Sequence, residues 1–222
     1  MTAGRSAVRS PIVQAHLRPD APDVLDLPWH VPLERWREHC PRILELARGL
    51  SRHEVQFVGD DEHTWAIKRT TVRGAEREYN TLMQAEERRL PCVRPAGWLV
   101  VHNPAADGEG GKGGEGGEGD DPWVGMLVTE FLEGSLPYRT LFRAHGLERY
   151  RDRLLDAMAG LFVRLHVAGF YWGDCSLSNT LFRRDGGELS AYLVDAETSE
   201  MHESLSTATR TRSRHPRGER GR

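Results

Sequence analysis

The stretch from Leu165 to Glu197, LHVAGFYWGDCSLSNTLFRRDGGELSAYLVDAE, decides how the fold of this 222-residue chain is interpreted. Asp174 is followed five residues later by Asn179, and a short apolar strand pattern then ends in Asp195. A magnesium–phosphate site needs one carboxylate that orients a hydroxyl. It also needs metal ligands, which an amide oxygen and a second carboxylate can provide. Asp and Asn are also ordinary turn residues, because their side chains hydrogen-bond the local backbone. The stretch alone leaves both interpretations open.

Composition argues against several classes of protein. The net charge of −3 gives no global case for binding nucleic acid or a membrane surface. The longest apolar runs are too short to cross a bilayer, and the first residues lack the apolar segment of a secretory signal. Cys40, Cys92 and Cys175 are odd in number and widely spaced, which supports neither a disulfide framework nor a zinc site. We therefore expect a reduced, cytoplasmic protein without a firm nucleic-acid or membrane partner. Its oligomeric state stays open.

Three segments have the composition of disordered chain. Residues 1–26 lack periodicity and are predicted to be a disordered leader, and residues 206–222 form an arginine-rich sequence that is predicted to be a disordered basic tail. Residues 103–122, NPAADGEGGKGGEGGEGDDP, are predicted to be a flexible acidic insert between two strands. The glycines of this insert have no strand-to-helix context and its carboxylates would repel phosphate, so it is not predicted to be a phosphate-binding loop.

The pattern from residue 27 onward predicts helices and an antiparallel sheet. Leu27–Leu50 has apolar residues at helical spacing, and the interruption at Pro41 predicts two short helices or one kinked helix. A hairpin pattern follows, in which HEVQFVG and TWAIKRT are the strands and GDDEH is the turn. Lys68 lies near the end of the second strand. An edge-strand lysine that faces water is the simplest interpretation of Lys68 by itself.

The next pattern is an amphipathic helix, VRGAEREYNTLMQAEERRL, that carries Glu76 and Glu78 in its first half. Two apolar strand patterns flank the acidic insert, and the second of them runs from Val124 to Phe131. A long helix with strong apolar periodicity then ends at Gly169, and two short strands around TLF and AYLVD follow.

This order of elements resembles the protein-kinase-like fold, in the atypical branch that includes aminoglycoside and lipopolysaccharide (Kdo/WaaP-type) kinases. More closely, LPWHVPLERW, WAIKRT and GFYWGDCSLSNTLF with LVDAETSE are similar to an actinobacterial family of unknown function (DUF4032), often described as lipopolysaccharide kinase-like. The resemblance covers roughly residues 27–205, apart from the insert. It implies an α+β, two-lobed fold, with an N-lobe of helices and antiparallel sheet at residues 27–134 and an incomplete helical C-lobe at residues 135–205.

The resemblance also implies a nucleotide site. Lys68, in AIK, would bind the α- and β-phosphates of ATP, and Glu78 would be its ion-pair partner, with Glu76 as second choice. Glu130 and Leu132 would belong, with the phenylalanine between them, to a hinge whose backbone meets the adenine.

The block WGDCSLSN stands where such kinases carry H-G-D-x-x-x-x-N or H-R-D-x-x-x-x-N. The resemblance therefore implies that Asp174 orients the acceptor hydroxyl and accepts its proton. Asn179 and Asp195, the latter at the D-F-G position although written DAE, would bind Mg²⁺.

The chain departs from this pattern in several places. No G-x-G-x-x-G precedes Lys68, Gly173 replaces the arginine of H-R-D, and Trp172 stands at the histidine. Kinase-like folds continue for several helices beyond the metal-binding aspartate, whereas this sequence turns into arginine-rich filler at about Thr207. We hypothesise that the chain is C-terminally truncated, a shifted reading frame being one cause. DNA sequencing would contradict this if no other frame restored apolar-periodic helices.

The leading functional hypothesis is an ATP- and Mg²⁺-dependent phosphotransferase that acts on a hydroxyl acceptor. The alternative is a nucleotide-binding pseudokinase, or a truncated and inactive kinase-like regulatory module. A third, weaker hypothesis is a basic-tailed binding protein in which the Asp-Asn-Asp set is incidental.

Overall fold

A computed structural model describes residues 11–46, 53–59, 62–103, 121–143 and 147–203. Its largest feature is a six-stranded sheet with the spatial order β1-β5-β6-β4-β3-β2. The strands are β1 (Ile12–Leu17), β2 (Ile43–Leu44), β3 (Val55–Gly59), β4 (Thr64–Thr70), β5 (Pro95–His102) and β6 (Trp123–Glu130). All neighbouring strands in this sheet are antiparallel.

In chain order, the described helices lie between strands of this sheet and after it. A short 3-10 helix leads into α1 (Trp36–His39), and α2 (Val72–Glu87) connects β4 to β5. The later elements are β7 (Leu136–Pro137), α3 (Tyr138–Arg143), α4 (Leu147–Val167), β8 (Phe170–Tyr171), β9 (Thr180–Asp185), β10 (Glu188–Leu193) and β11 (Glu200–Met201). Strands β10, β9 and β7 form a second sheet, and β11 pairs with β8 in a third. The predicted α+β fold with an antiparallel N-terminal sheet is confirmed. The division into lobes at residues 27–134 and 135–205 stays a prediction.

The large sheet is buried on both faces. Trp98 and Val100 of β5 and Leu127 of β6 belong to the core that α2 and α4 share. The alternate residues of the same strands, such as Leu99 and Met126, belong to a second core on the opposite face. Burial on both faces explains why these strands are continuous apolar runs in the sequence.

The second core corrects the prediction of a disordered leader at residues 1–26. Residues 12–17 form β1 and pair with β5, and the chain that follows covers the sheet with buried side chains. These are Val24, Leu27, Trp29, Leu33 and Trp36. Most side chains of β1 are exposed, so residues 11–26 do not show the periodicity of a buried element. Residues 1–10 lie outside the described ranges.

The predicted helical continuation after Pro41 is also wrong. Ile43 and Leu44 form β2 and pair with Val58 and Phe57 of β3. The guanidinium of Arg42 donates to the carbonyl of Gly59, and the Gly59 amide donates to the carbonyl of Arg42. Pairing with an existing strand outweighs a weak local preference for helix.

Main-chain hydrogen bonds join the sheet to the later elements. The amide of Val93, just before β5, donates to the carbonyl of Leu193 at the end of β10, and the Leu193 amide donates to Pro91. Leu193 lies two residues before Asp195, so this contact brings the Asp195 segment against the large sheet.

Some predictions fall outside the described residues. They include most of the 103–122 insert, the end of the predicted helical segment at residues 47–50 and the 206–222 tail. Within the described ranges, every helix is too short or too polar to cross a bilayer.

The covering segment gives a test of the fold. Trp36 is 1% exposed and its ring meets that of Trp29 edge-on at 4.8 Å. We expect Trp36→Ala to lower the free energy of unfolding by about 3–5 kcal/mol, because it leaves a large cavity in the second core. Urea denaturation measures this. Trp123→Ala is the control, since Trp123 is 40% exposed, and it should cost less than about 1 kcal/mol. Equal losses would contradict a buried covering segment.

Candidate active site

A cleft of about 350 Å³ lies between the large sheet and the segment that includes β9 and the end of β10. Its apolar walls are formed by Val55, Phe57, Ala66, Val93, Leu181 and Val194. Glu130 and Leu132 lie in its lining beside Phe131, and so do the polar groups of Lys68, Asn179 and Asp195. A larger cavity, of about 540 Å³ between α4 and β10, is lined by none of the predicted site residues.

Lys68 is the centre of an ion-pair cluster in this cleft. Its Nζ lies 2.8 Å from Glu78 Oε2 and 3.0 Å from Asp195 Oδ2. The Lys68 side chain is 12% exposed and that of Glu78 is fully buried. Lys68 is therefore not a solvent-facing lysine. Glu76, the second choice as partner, is exposed on α2.

Glu78 joins two parts of the fold. Its Oε1 accepts a hydrogen bond of 3.2 Å from the Ala196 amide, while its Oε2 contacts Lys68. The residues in the first bond are 118 positions apart in the chain. One buried carboxylate thus fixes β4, α2 and the Asp195 segment relative to one another.

Burial changes the proton affinity of this cluster. It raises the pKa of Glu78 from 4.5 to about 7, although the ammonium of Lys68 acts in the opposite direction. Burial also disfavours the charged form of Lys68, but Glu78 and Asp195 more than offset this, so the pKa of Lys68 is raised. The causes differ, because burial dominates the shift of Glu78, with Asp195 acting in the same direction, whereas the two carboxylates outweigh burial at Lys68.

Asn179 and Asp174 are connected through the backbone. Asn179 Nδ2 donates to the carbonyl of Asp174 at 3.2 Å, and the carbonyl of Asn179 accepts from the amide of Val194 at 3.1 Å. These contacts bring Asn179 next to Asp195. The Asp174 side chain is exposed and is absent from the described lining of the cleft. It lies outside the cleft that Lys68, Glu130, Leu132, Asn179 and Asp195 line, and the fully buried Glu78 is not in that lining either.

Backbone contacts fix the loop that carries Asp174. A Cβ at Gly173 would lie 2.3 Å from the carbonyl oxygen of Thr198, so no larger residue fits without moving the backbone. The preceding residue, Trp172, is 1% exposed, and β8 before it pairs with β11. The chain after Asp195 therefore packs directly on the loop. This contact is the physical reason for glycine at position 173.

Main-chain hydrogen bonds hold Glu130 and Phe131, the first two residues of the predicted hinge. The Glu130 amide donates to the carbonyl of Arg94 and the Phe131 amide donates to the carbonyl of Thr64, both at 2.8 Å. The Glu130 carboxylate accepts from the Arg94 guanidinium at 3.0 Å. The Phe131 ring meets Phe57 of the cleft wall edge-on.

Glu197 and His53 are site residues that the sequence did not predict. Glu197 Oε2 lies 3.0 Å from His53 Nε2 and 4.0 Å from Lys68 Nζ, and Glu197 Oε1 accepts from Thr70 Oγ1 at 3.5 Å. The only local signal was a glutamate in place of the glycine of D-F-G. His53 is 144 positions from Glu197, and no sequence pattern connects the two.

In the described ranges, no group of three or more histidine, cysteine, aspartate or glutamate side chains could hold a metal ion.

Known proteins share the fold of this chain more clearly than its sequence. No protein-family model matches the chain, and no curated protein matches it in sequence. The chain is similar to a solved structure described as "WaaP in complex with acyl carrier protein", with a TM-score of 0.50 and 15% identity. The match covers 78% of this chain and 67% of the other. The fold is protein-kinase-like. At this identity the similarity concerns the fold alone, and the resemblance to the DUF4032 family stays a prediction.

The raised pKa of Glu78 gives a pH prediction. Because the folded state binds this proton more tightly than the unfolded state, the contribution of Glu78 to stability is greatest below pH 4.5 and falls as the pH rises through about 7. We expect the free energy of unfolding of the wild type, relative to Glu78→Gln, to decrease between pH 5 and 7.5.

Urea unfolding at several pH values measures this difference. Glu76→Gln is the matched control, because Glu76 is exposed on the same helix, and its curve should run parallel to that of the wild type. A wild-type curve that ran parallel to Glu78→Gln would contradict the shift.

Proposed function

We propose that this protein is an ATP- and Mg²⁺-dependent phosphotransferase that transfers a phosphoryl group to a hydroxyl acceptor, and that it is related to the lipopolysaccharide kinase-like DUF4032 family. The observation that carries the proposal is the contact of Lys68 with Glu78 and Asp195 in a cleft that Asn179 also lines. Lysine, glutamate and aspartate in this arrangement position phosphates and metal in kinase-like folds.

The dimensions and chemistry of the cleft suit a nucleotide. Apolar walls from β3, β4 and β9 suit the two faces of a flat base, and the proposed hinge from Glu130 to Leu132 lines the same cleft. Lys68 lies in the same lining as Asn179 and Asp195. The acceptor is proposed to be a sugar or another small molecule, by analogy with the kinases that carry Gly-Asp in this loop.

The donor set fits a magnesium ion that is shared with phosphate. Asn179 and Asp195 would bind it, and phosphate oxygens would complete its coordination, as is usual for Mg²⁺ in nucleotide sites. Because Asn179 Nδ2 donates to Asp174, its amide oxygen is the atom available to a metal. When bound, Mg²⁺ would neutralise the charge that develops on the transferred group.

Asp174 would act on the acceptor. Its exposed carboxylate would accept the proton of the acceptor hydroxyl while the hydroxyl oxygen bonds to the γ-phosphorus. The bond between that phosphorus and the β,γ-bridging oxygen breaks, and ADP leaves with the bond electrons. Lys68, positioned by Glu78, would stabilise the negative charge on the phosphates.

One observation favours the second candidate, a nucleotide-binding pseudokinase or inactive kinase-like regulatory module. The Glu197 carboxylate lies 4.0 Å from Lys68 Nζ, so a third negative charge occupies the neighbourhood that phosphates would enter. The absence of a glycine-rich motif before Lys68 points the same way.

Binding and turnover measured together separate these candidates. We expect Mg-ATP to raise the thermal midpoint of the wild type and of Asp174→Asn alike, because Asp174 lies outside the cleft lining. We expect ATP turnover to fall about 100-fold or more in Asp174→Asn, since a positioned base contributes about 10²–10⁴-fold. Lys68→Met should lose both the ATP turnover and the thermal shift with Mg-ATP.

Asp156→Asn is the control, because Asp156 lines the separate cavity between α4 and β10 and should change neither quantity. Binding without turnover in the wild type would support the pseudokinase and contradict the enzyme. The absence of any shift with Mg-ATP would contradict both candidates.

A further inference from the structure

The Glu197 carboxylate is enclosed by groups that would equally suit a phosphate. His53 Nε2 lies 3.0 Å from Oε2, and a carboxylate only accepts, so this ring nitrogen carries the hydrogen. The Thr70 hydroxyl donates to Oε1 at 3.5 Å, and the Lys68 ammonium lies 4.0 Å from Oε2. Lys68 and His53 also line the nucleotide-sized cleft. Glu197 is not itself in the described lining, but it lies beside the cleft and contacts two of the lining residues, His53 and Lys68.

The charges around Lys68 do not balance. One ammonium faces the carboxylates of Glu78, Asp195 and Glu197. Glu78 is fully buried and also accepts from the Ala196 amide, and Asp195 accepts from the Glu197 amide, so these two are fixed. Glu197 is the carboxylate with the longest distance to Lys68, and its side chain is 31% exposed. It is therefore the one that can leave the cluster without exposing a buried charge.

We propose that Glu197 is an internal competitor for the phosphate position of this cleft, which a phosphate-bearing ligand must displace to reach Lys68. The proposal rests on the proposed function in taking that ligand to be a nucleotide. Two anions in one small, partly buried space repel each other, so nucleotide affinity is lowered by the work of moving Glu197. His53 and Thr70, which bind the carboxylate before displacement, become donors for the phosphate afterwards. They take the place of the missing glycine-rich motif.

The competition is specific to phosphate. Adenosine has no group that approaches Lys68, so Glu197 should not affect its affinity. A structural role for Glu197 would instead change the affinities of adenosine and ATP together. The two ligands therefore distinguish competition from a general effect on the shape of the cleft.

Isothermal titration calorimetry with Mg-ATP, adenosine and inorganic pyrophosphate tests the proposal. We expect Glu197→Gln, which keeps the size of the side chain, to bind Mg-ATP and pyrophosphate about tenfold more tightly, with a smaller gain at high salt. Adenosine affinity should stay unchanged. Glu197→Asp keeps the charge on a shorter side chain, and we expect an intermediate gain.

Glu200→Gln is the matched control. It removes the same charge from the same segment, but Glu200 is exposed and pairs with Arg77 outside the cleft. Its affinities should equal those of the wild type.

The outcomes separate this proposal from the proposed function. If the wild type binds Mg-ATP and Glu197→Gln binds it equally or more weakly, competition is overturned and the nucleotide site stands. Weaker binding would indicate that Glu197 assists the metal. Tighter binding of pyrophosphate without binding of ATP by any variant would support competition and overturn the nucleotide function. No binding of either ligand by any variant would overturn both.

Discussion

The arrangement of this molecule depends on one buried carboxylate. A fully buried glutamate is stable only where cations and hydrogen-bond donors replace the water it has lost, and Glu78 has both in Lys68 and the Ala196 amide. Removal of either partner leaves a polar group that the surrounding apolar core cannot satisfy. The positions of β4, α2 and the chain after β10 are therefore coupled through two atoms of one side chain.

Much of the fold follows from periodicity that survives in the sequence. Strand β4 and helix α2 have local patterns, and turn residues separate β9 from β10, so these elements could be predicted. β1 and β2 could not, because an exposed edge strand and a two-residue strand owe their conformation to partners distant in the sequence.

The residues of the candidate site also differ in whether the sequence alone could predict them. Lys68, Asp174 and Asn179 occur in short motifs with fixed spacing, which a single sequence reveals. The contact between His53 and Glu197 depends on how the first strands face the chain after β10, and no local rule specifies it. Motifs identify groups that act together, whereas the charges that surround them emerge only from tertiary packing.

The loop that carries Asp174 is positioned by contacts between distant parts of the backbone. Here the position is set by backbone approach, with Gly173 against Thr198 and β8 paired with β11. The loop geometry thus depends on the chain after Asp195.

The sequence separation within the Glu78 contacts has a consequence for folding during synthesis. Lys68 and Glu78 are 10 positions apart and can meet as soon as β4 and α2 have formed. The Ala196 amide follows 118 positions later, so for most of synthesis the nascent N-terminal sheet has a half-satisfied carboxylate at its surface. Closure over that carboxylate is a long-range event with a high entropic cost, and it belongs to the last steps of folding. The cleft is therefore completed late, and only chains that have folded as a whole would contain a finished ligand site.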